Sequence, residues 1–411
     1  MGKQKNRYLV LFALALGAVA IYFLPYIRWT FYDSLFEAVN LSNAQFAATL
    51  SVYGVTSMIF YAPGGYLADK FSPRKMLTVA CLLTGVLGLW YCTYPGFGVQ
   101  MLIYALWGAV TTGFFWSAML KVANGLGSEE EQGRMFGFLE GGRGIVNVVI
   151  SFVALYFFGK LGESIAGFTG ILVAGSILCI LSGVLAWFVV PDKVSGTTDK
   201  IQLKDVGKVL KLPAVWIIAV IVLSCYSVYI GSTYLTPYMT EILGISATAA
   251  GAIAILRSYV LQFVAAPTGG WIADKIGSIT LVIAFCFILM AIALAGFAFL
   301  PASPSILVVA IVLMLLFSAG IFAMRGIYFA PVDECKVPKP LVGTAIGVIS
   351  VIGFFPDVYM NSLAGTLMDA YPGAQGYQYV FYVMLAFSIL GLVASFILHR
   401  KVKKNKEETV E

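Results

Sequence analysis

The chain has 411 residues, 60% of them apolar and only 11% charged, with a formal net charge of +6. An ordinary soluble domain is roughly a quarter charged, so a water-soluble globule of this length is excluded and lipid is read as part of the solvent. Twelve spans of about 20 residues would use about 240 residues, leaving short loops, one linker and two tails but no room for a soluble catalytic domain.

The first apolar run, 8–27, follows Lys3, Lys5 and Arg7. It is longer than a signal-peptide core and continues past Arg28 without a processing boundary, so a retained first helix is expected. Asn6 stands where a myristoylation signal needs Ser or Thr. Onward, apolar runs broken by Pro, Gly and charge predict twelve helices at 8–32, 44–66, 76–94, 99–124, 134–159, 167–190, 213–236, 247–270, 279–300, 304–330, 341–367 and 377–399. Pro25, Pro237 and Pro356 are placed to interrupt helices 1, 7 and 11. The cysteines contain no C-x-x-C pair, and all but Cys335 lie in apolar runs, so no metal site, disulfide framework or cofactor is expected.

With the N-terminus inside, twenty Lys and Arg residues outside the helices face the cytoplasm and only Lys160 faces out. This asymmetry puts both termini in the cytoplasm and gives the net charge a topological origin, so nucleic acid is not expected as a partner.

After the second helix the chain reads Ala62-Pro63-Gly64-Gly65-Tyr66-Leu67-Ala68-Asp69-Lys70-Phe71-Ser72-Pro73-Arg74-Lys75, and after the eighth Ala266-Pro267-Thr268-Gly269-Gly270-Trp271-Ile272-Ala273-Asp274-Lys275-Ile276-Gly277. Gly65 and Gly270 are 205 residues apart, as are Asp69 and Asp274, which is half the chain. Each half is therefore read as one copy of a six-helix unit: 1–190, a cytoplasmic linker at 191–212, and 213–411 with its basic tail. Gly65 is expected to let helices approach closely, Asp69 to accept from a neighbouring helix N-terminus, and Lys70, Arg74 and Lys75 to hold the turn at anionic headgroups.

This turn resembles the signature of the major facilitator superfamily, G-x-x-x-D-[RK]-x-G-x-[RK]-[RK], between the second and third helices. The first copy has Ser72 in place of the signature glycine, and the second keeps Gly277 but lacks the terminal basic pair. The resemblance implies an all-α membrane protein of the major facilitator fold. Its twelve transmembrane helices would form two pseudo-symmetric six-helix bundles with both termini cytoplasmic. It further implies a conformational latch made of Gly65, Asp69, Lys70 and Arg74, with Gly270, Asp274 and Lys275 in the second copy.

Five basic residues fall inside predicted helices: Arg28, Lys121, Arg143, Arg257 and Arg325. A charge at the bilayer centre costs about 2.5–3.5 kcal/mol even on a lenient scale, so each implies a polar surrounding and a task. In the superfamily, helices 1, 4, 7 and 10 line the central cavity; here Arg28, Lys121 and Arg325 occupy three of them, with Tyr229 on the fourth. Surplus positive charge attracts an anion, with Arg28 and Arg325 as bidentate clamps and Lys121 as a point charge. Each has an alternative: Arg28 can snorkel at the interface, Lys121 can anchor the cytoplasmic end of helix 4, and the depth of Arg325 is open. Tyr26, Tyr32, Trp116 and Tyr328 are candidate ring or hydrogen-bonding contacts, which membrane helices also use for packing. Glu140 and Arg143, three apart, and Arg257 with Asp357, on helices 8 and 11, are candidate interhelical or coupling charges.

The stretch Tyr26-Ile27-Arg28-Trp29 is similar to the first-helix arginine of the exchangers for glycerol phosphate and hexose phosphates. That branch also uses an arginine in helix 7, where this chain has Tyr229; Arg257 or Arg325 can supply the second guanidinium. Drug–proton antiporters carry an early helix-4 arginine and a glycine-proline motif in helix 5, both absent here. The expectation is a secondary transporter of the plasma membrane, moving a small organic anion or sugar phosphate by alternating access. Symport, with protons as co-substrate, and exchange both stay open, and a monomer is expected. A nitrate/nitrite-type inorganic-anion porter, a drug–proton antiporter and a transporter-like ligand sensor are the alternatives. An enzyme is not expected, because the chain has one His, no metal spacing and no large loop.

Overall fold

The computed structural model describes residues 7–126, 132–192, 203–301, 303–338 and 341–407. The linker expected at 191–212 falls partly on 193–202, outside the described residues, as do the side chains of Asp69 and Asp333. Among the described residues every regular element is helical. In chain order these are α1 (Arg7–Phe23), α2 (Tyr32–Val39), α3 (Asn43–Lys70), α4 (Pro73–Tyr91), α5 (Phe97–Val110), α6 (Ser117–Asn124), α7 (Gln132–Lys160), α8 (Ile165–Val189) and α9 (Leu203–Val209). They continue as α10 (Pro213–Gly231), α11 (Leu235–Glu241), α12 (Ala247–Ile255), α13 (Leu261–Ile276), α14 (Ile279–Phe299), α15 (Leu307–Arg325), α16 (Pro331–Glu334), α17 (Val342–Gly353), α18 (Pro356–Ala370) and α19 (Ala374–Glu407). Among the described residues nine helices are long and apolar enough to cross a membrane, and Arg7–Phe23 is apolar but shorter.

Proline shapes the interruptions. The first helix was expected to run to residue 32 but stops at Phe23, because Pro25 has no N–H to donate; a 3-10 turn, Ile27–Trp29, follows. A 3-10 turn at Ser232–Tyr234 precedes α11, which contains Pro237. α17 ends at Gly353 and Pro356 begins α18, the position where its missing donor is harmless. Two π-helical segments, Thr111–Trp116 and Leu256–Val260, insert into longer helices.

The chain divides into two compact units, Met1–Thr198 with Ala247–Ile255, and Asp199–Ser246 with Leu256–Glu411. In the first, α4 packs along α8, α3 along α5, and α1 against α7 and α8. Leu14, Ile21, Leu77, Phe115, Met119, Val122 and Cys179 form its core. In the second, α14 packs against α15 and α19, while α10 lies on α17 and α19. Large apolar side chains such as Phe188, Phe263, Phe299 and Val308 stand 69–74% exposed, as lipid-facing residues do.

Candidate functional site

In the first unit the turn after Pro25 carries Arg28 into the protein, where it is 2% exposed. Its Nη1 donates to the Phe46 carbonyl at 2.8 Å, and its Nη2 donates to Thr49 Oγ1 at 2.7 Å and Tyr104 Oη at 3.2 Å. The guanidinium also lies 3.9 Å from the centroid of the Phe46 ring. Tyr32, buried beside it, meets the same ring edge-on at 5.3 Å. Arg28 thus joins the turn to α3 and α5, with Tyr32 packed on the same Phe46 ring.

Lys121 is buried and its Nζ donates to the Ala68 carbonyl at 2.6 Å. That carbonyl belongs to the last turn of α3, where acceptors lack intrahelical donors and the helix dipole favours a cation. Lys121 is therefore at the foot of α3, apart from the partners of Arg28. A third group gathers Tyr26, Tyr22, Trp116 and Arg143. Tyr26 packs edge-on against Tyr53 at 5.3 Å, Tyr22 meets Trp116 at 6.5 Å, and the Arg143 guanidinium lies over Trp116 at 5.5 Å. Arg143 pairs with Glu140, three residues earlier on the same helix, and Trp116 Nε1 has no hydrogen-bond acceptor among the described residues.

The signature turns differ from expectation in one respect. Gly65, read as a site of close helix approach, faces open space, as does its repeat mate Gly270: a Cβ on either would meet nothing within 4 Å. The close approaches run through their neighbours. A Cβ on Gly64 would fall 2.8 Å from the Gly113 carbonyl oxygen, and one on Gly269 would fall 2.5 Å from that of Ala323. These two glycines are also 205 residues apart, a signal already present in the repeat. The signature is mostly helical, because α3 and α13 continue to Lys70 and Ile276. Lys70 caps the Tyr66 ring at 4.5 Å, and its repeat mate Lys275 caps Trp271 at 5.1 Å.

Ser72 then opens α4 with its side chain accepting from Lys75 N, and it donates to Asp192. Arg74 Nε donates to the Val190 carbonyl at 2.8 Å, tying the turn to the end of α8. In the second copy Gly277 closes α13 at a φ of +70°, which suits glycine. There Thr280 Oγ1 lies 2.9 Å from Nδ1 of His399, the single histidine, which ties that turn to α19. Asp274 is exposed and makes no hydrogen bond among the described residues.

In the second unit α15 ends at Arg325, which is partly exposed and lies over the Tyr229 ring at 4.0 Å. Tyr229 packs on Phe322 at 6.1 Å and on Tyr226 at 5.5 Å. The Tyr226 hydroxyl donates to Asp357 Oδ2 at 3.1 Å. The Arg325 charge also acts on Asp357 and on Tyr328, three residues along. Among the described residues no carboxylate lies within ion-pair distance of Arg325. Arg257, expected to pair with Asp357, forms no ion pair and no hydrogen bond among the described residues; it is 3% exposed within the segment Leu256–Val260. Asp357 instead takes the Tyr226 hydroxyl, because α18 presents it toward α10. Phe46, Thr49 and Tyr104 are the contacts that sequence reasoning did not assign, since each depends on which helix faces which.

The arrangement is a set of buried and half-buried cations and tyrosines inside an apolar helical protein, with no His, Cys, Asp and Glu cluster able to hold a metal among the described residues. The family model of the Major Facilitator Superfamily matches residues 9–256 and 224–411. The chain is 32% identical to the inner membrane protein YihN of Escherichia coli (strain K12) over 98% of both chains. It is 30% identical to the inner membrane protein YqcE of the same organism, covering 97% of this chain and 96% of that one. Among solved structures it resembles a bacterial homolog of the human lysosomal transporter Spinster, with a TM-score of 0.80 at 13% identity over 97% of this chain and 98% of that one. It also resembles the D-xylose-proton symporter, with a TM-score of 0.73 at 16% identity over 95% and 97%. The protein is an integral, multi-pass protein of the plasma membrane, and the chain belongs to the major facilitator superfamily as a transporter rather than an enzyme.

Proposed function

We propose that this transporter carries a small organic anion, of the sugar phosphate or carboxylate kind, by alternating access. The supporting observation is Arg325: a guanidinium in a membrane-embedded helix, partly exposed, seated on the Tyr229 ring and without a carboxylate in ion-pair range among the described residues. A cation kept in such a place demands a counter-charge that arrives and leaves, which is what a transported anion supplies. Tyr229 and Tyr328 flank it as ring and hydroxyl contacts, and Asp357 is the acidic group through which protons would couple to flux. Arg28 and Lys121 are assigned to holding the first unit together, since both are buried on backbone carbonyls. The signature turns act as braces: Arg74 on Val190 and Ser72 on Asp192 in one unit, His399 on Thr280 in the other.

The test is counterflow in proteoliposomes together with ligand-dependent thermal stabilisation of the purified protein, over a panel of organic anions, inorganic anions, cations and neutral sugars. Organic anions are expected to stabilise and to exchange, and Arg325→Ala to lose both. Stabilisation by cations alone, or an Arg325→Ala protein with intact anion flux, overturns the assignment. Binding without any flux would identify a sensor instead.

A further inference from the structure

We infer that Gly269 and Gly326 are positioning residues of the anion site: α13 and α15 cross backbone on backbone at these glycines, and the crossing seats Arg325 over Tyr229. The two glycines would thus set substrate affinity without touching substrate. The inference rests on the organic-anion reading above and adds what holds its arginine in place.

Arg325 is the last residue of α15. The final carbonyls of a helix lack intrahelical donors and such ends fray, so a long charged side chain there has little reason to keep one position. Arg325 nonetheless lies 4.0 Å from the Tyr229 ring centre and 5.8 Å from that of Phe322, which itself meets Tyr229 at 6.1 Å. The helix alone does not account for this.

What fixes that end is α13, on both sides of the arginine. A Cβ on Gly326 would fall 2.7 Å from the Ala266 carbonyl oxygen and 3.2 Å from the Ala266 Cα. One on Gly269 would fall 2.5 Å from the Ala323 carbonyl oxygen and 3.0 Å from the Ala323 Cα. The contacts are reciprocal: each helix offers an alanine and, three residues on, a glycine, and each glycine meets the other helix's alanine. Because both are backbone against backbone, no flexible side chain lies between to yield. The glycine that approaches α15 from α14 differs, since a Cβ on Gly296 would meet the Leu313 side chain, which can turn aside.

Direction ties this crossing to the arginine. Successive helical residues point about 100° apart, so Ala323 and Gly326 share one side of α15 and Phe322 and Arg325 share the next. The first side lies on α13 and the second on Tyr229 of α10. A methyl group at 269 or 326 has no room, so it must push the end of α15 off α13, and Arg325 moves with that end. Gly64 supplies the comparison. A Cβ there would fall 2.8 Å from the Gly113 carbonyl oxygen, a similarly tight backbone contact on helices that do not carry Arg325.

The experiment has two readouts on the folded fraction of the full-length protein. The first needs no ligand: the rate at which phenylglyoxal modifies Arg325, mapped by peptide mass spectrometry with Arg74 as internal reference. Gly269→Ala and Gly326→Ala are each expected to change this rate about 3- to 10-fold, and Gly64→Ala by less than twofold. The second is apparent Kd from thermal stabilisation by gluconate, glucose 6-phosphate and inorganic phosphate. Whichever of these binds the wild type is expected to bind the first two variants about 3- to 10-fold more weakly, the loss of a cation–ring contact, and Gly64→Ala within twofold. Ala323→Gly adds no atom and cannot clash. It loosens the crossing, so it reports even if neither alanine variant folds, with an expected change of about two- to threefold in both readouts.

An unchanged Arg325 modification rate in the folded variants overturns the inference. So does a changed rate with unchanged Kd, or an equal loss of affinity in Gly64→Ala, which would make the effect one of general destabilisation. A wild type stabilised by none of the three probes counts against the organic-anion reading instead, and the modification rates then still decide whether the crossing seats the arginine.

Discussion

The guanidinium of Arg325 rests 4.0 Å from the centre of the Tyr229 ring. A cation over an aromatic face gains about 0.5–2 kcal/mol, more as water is removed, so the ring holds the charge in place without neutralising it. Tyr229→Phe keeps the face and is expected to leave the counterflow KM for the transported anion within about threefold. Tyr229→Leu removes it and should raise KM by about 3- to 30-fold, the same energy expressed as a ratio. Equal effects of both substitutions would show that the hydroxyl, and not the ring, carries the contact.

Arg28 is expected to matter for stability. It donates to the Phe46 carbonyl, the Thr49 hydroxyl and the Tyr104 hydroxyl, joining the turn after α1 to α3 and α5. Arg28→Gln leaves some of these buried acceptors unmet and should lower the stability of the empty protein by about 2–4 kcal/mol. Chemical unfolding in detergent measures this, and an unchanged midpoint would return Arg28 to the list of candidate ligands.

The glycine pairs separate packing from pattern. Gly64→Ala and Gly269→Ala each push a Cβ against a backbone carbonyl, at 2.8 and 2.5 Å, and should destabilise by about 1–3 kcal/mol. Gly65→Ala and Gly270→Ala enter open space and should be neutral or stabilising by up to about 1 kcal/mol, the helix-propensity difference. Thermal midpoints of the four variants decide this; the opposite order would mean that the helices cross elsewhere.

Asp357 accepts from the Tyr226 hydroxyl and feels the Arg325 charge. Asp357→Asn keeps the shape but removes a proton-accepting group. Counterflow driven by substrate alone is expected to persist in this variant, while accumulation driven by an imposed proton gradient should be lost. Loss of counterflow as well would make Asp357 a structural partner of the arginine rather than a coupling group.

How far the site could be read in advance is seen in particular residues. The membrane class, the repeat at 205 residues and the break at Pro25 are local or compositional properties, and each was legible. The five helix-embedded cations were also legible as unusual, because their cost in lipid depends on residue type alone. Their jobs were not. Lys121 and Arg325 are near mates in the repeat, yet one caps the end of α3 and the other sits on a tyrosine ring. Arg257 and Asp357 have opposite charges on helices 8 and 11 and still form no ion pair.

The sequence by itself determined that this chain lives in a membrane, that it carries the same signature turn twice, 205 residues apart, and which side chains are too costly to be there without a reason. Only the tertiary structure decided which of those side chains are occupied and which are left wanting a counter-charge. Successive residues on a helix point about 100° apart, so Gly64 and Gly65, alike in the repeat, face a neighbouring helix and open space respectively. That choice depends on how helices distant in the chain pack, which is also what gives Arg28 its acceptors and leaves Arg257 without any among the described residues.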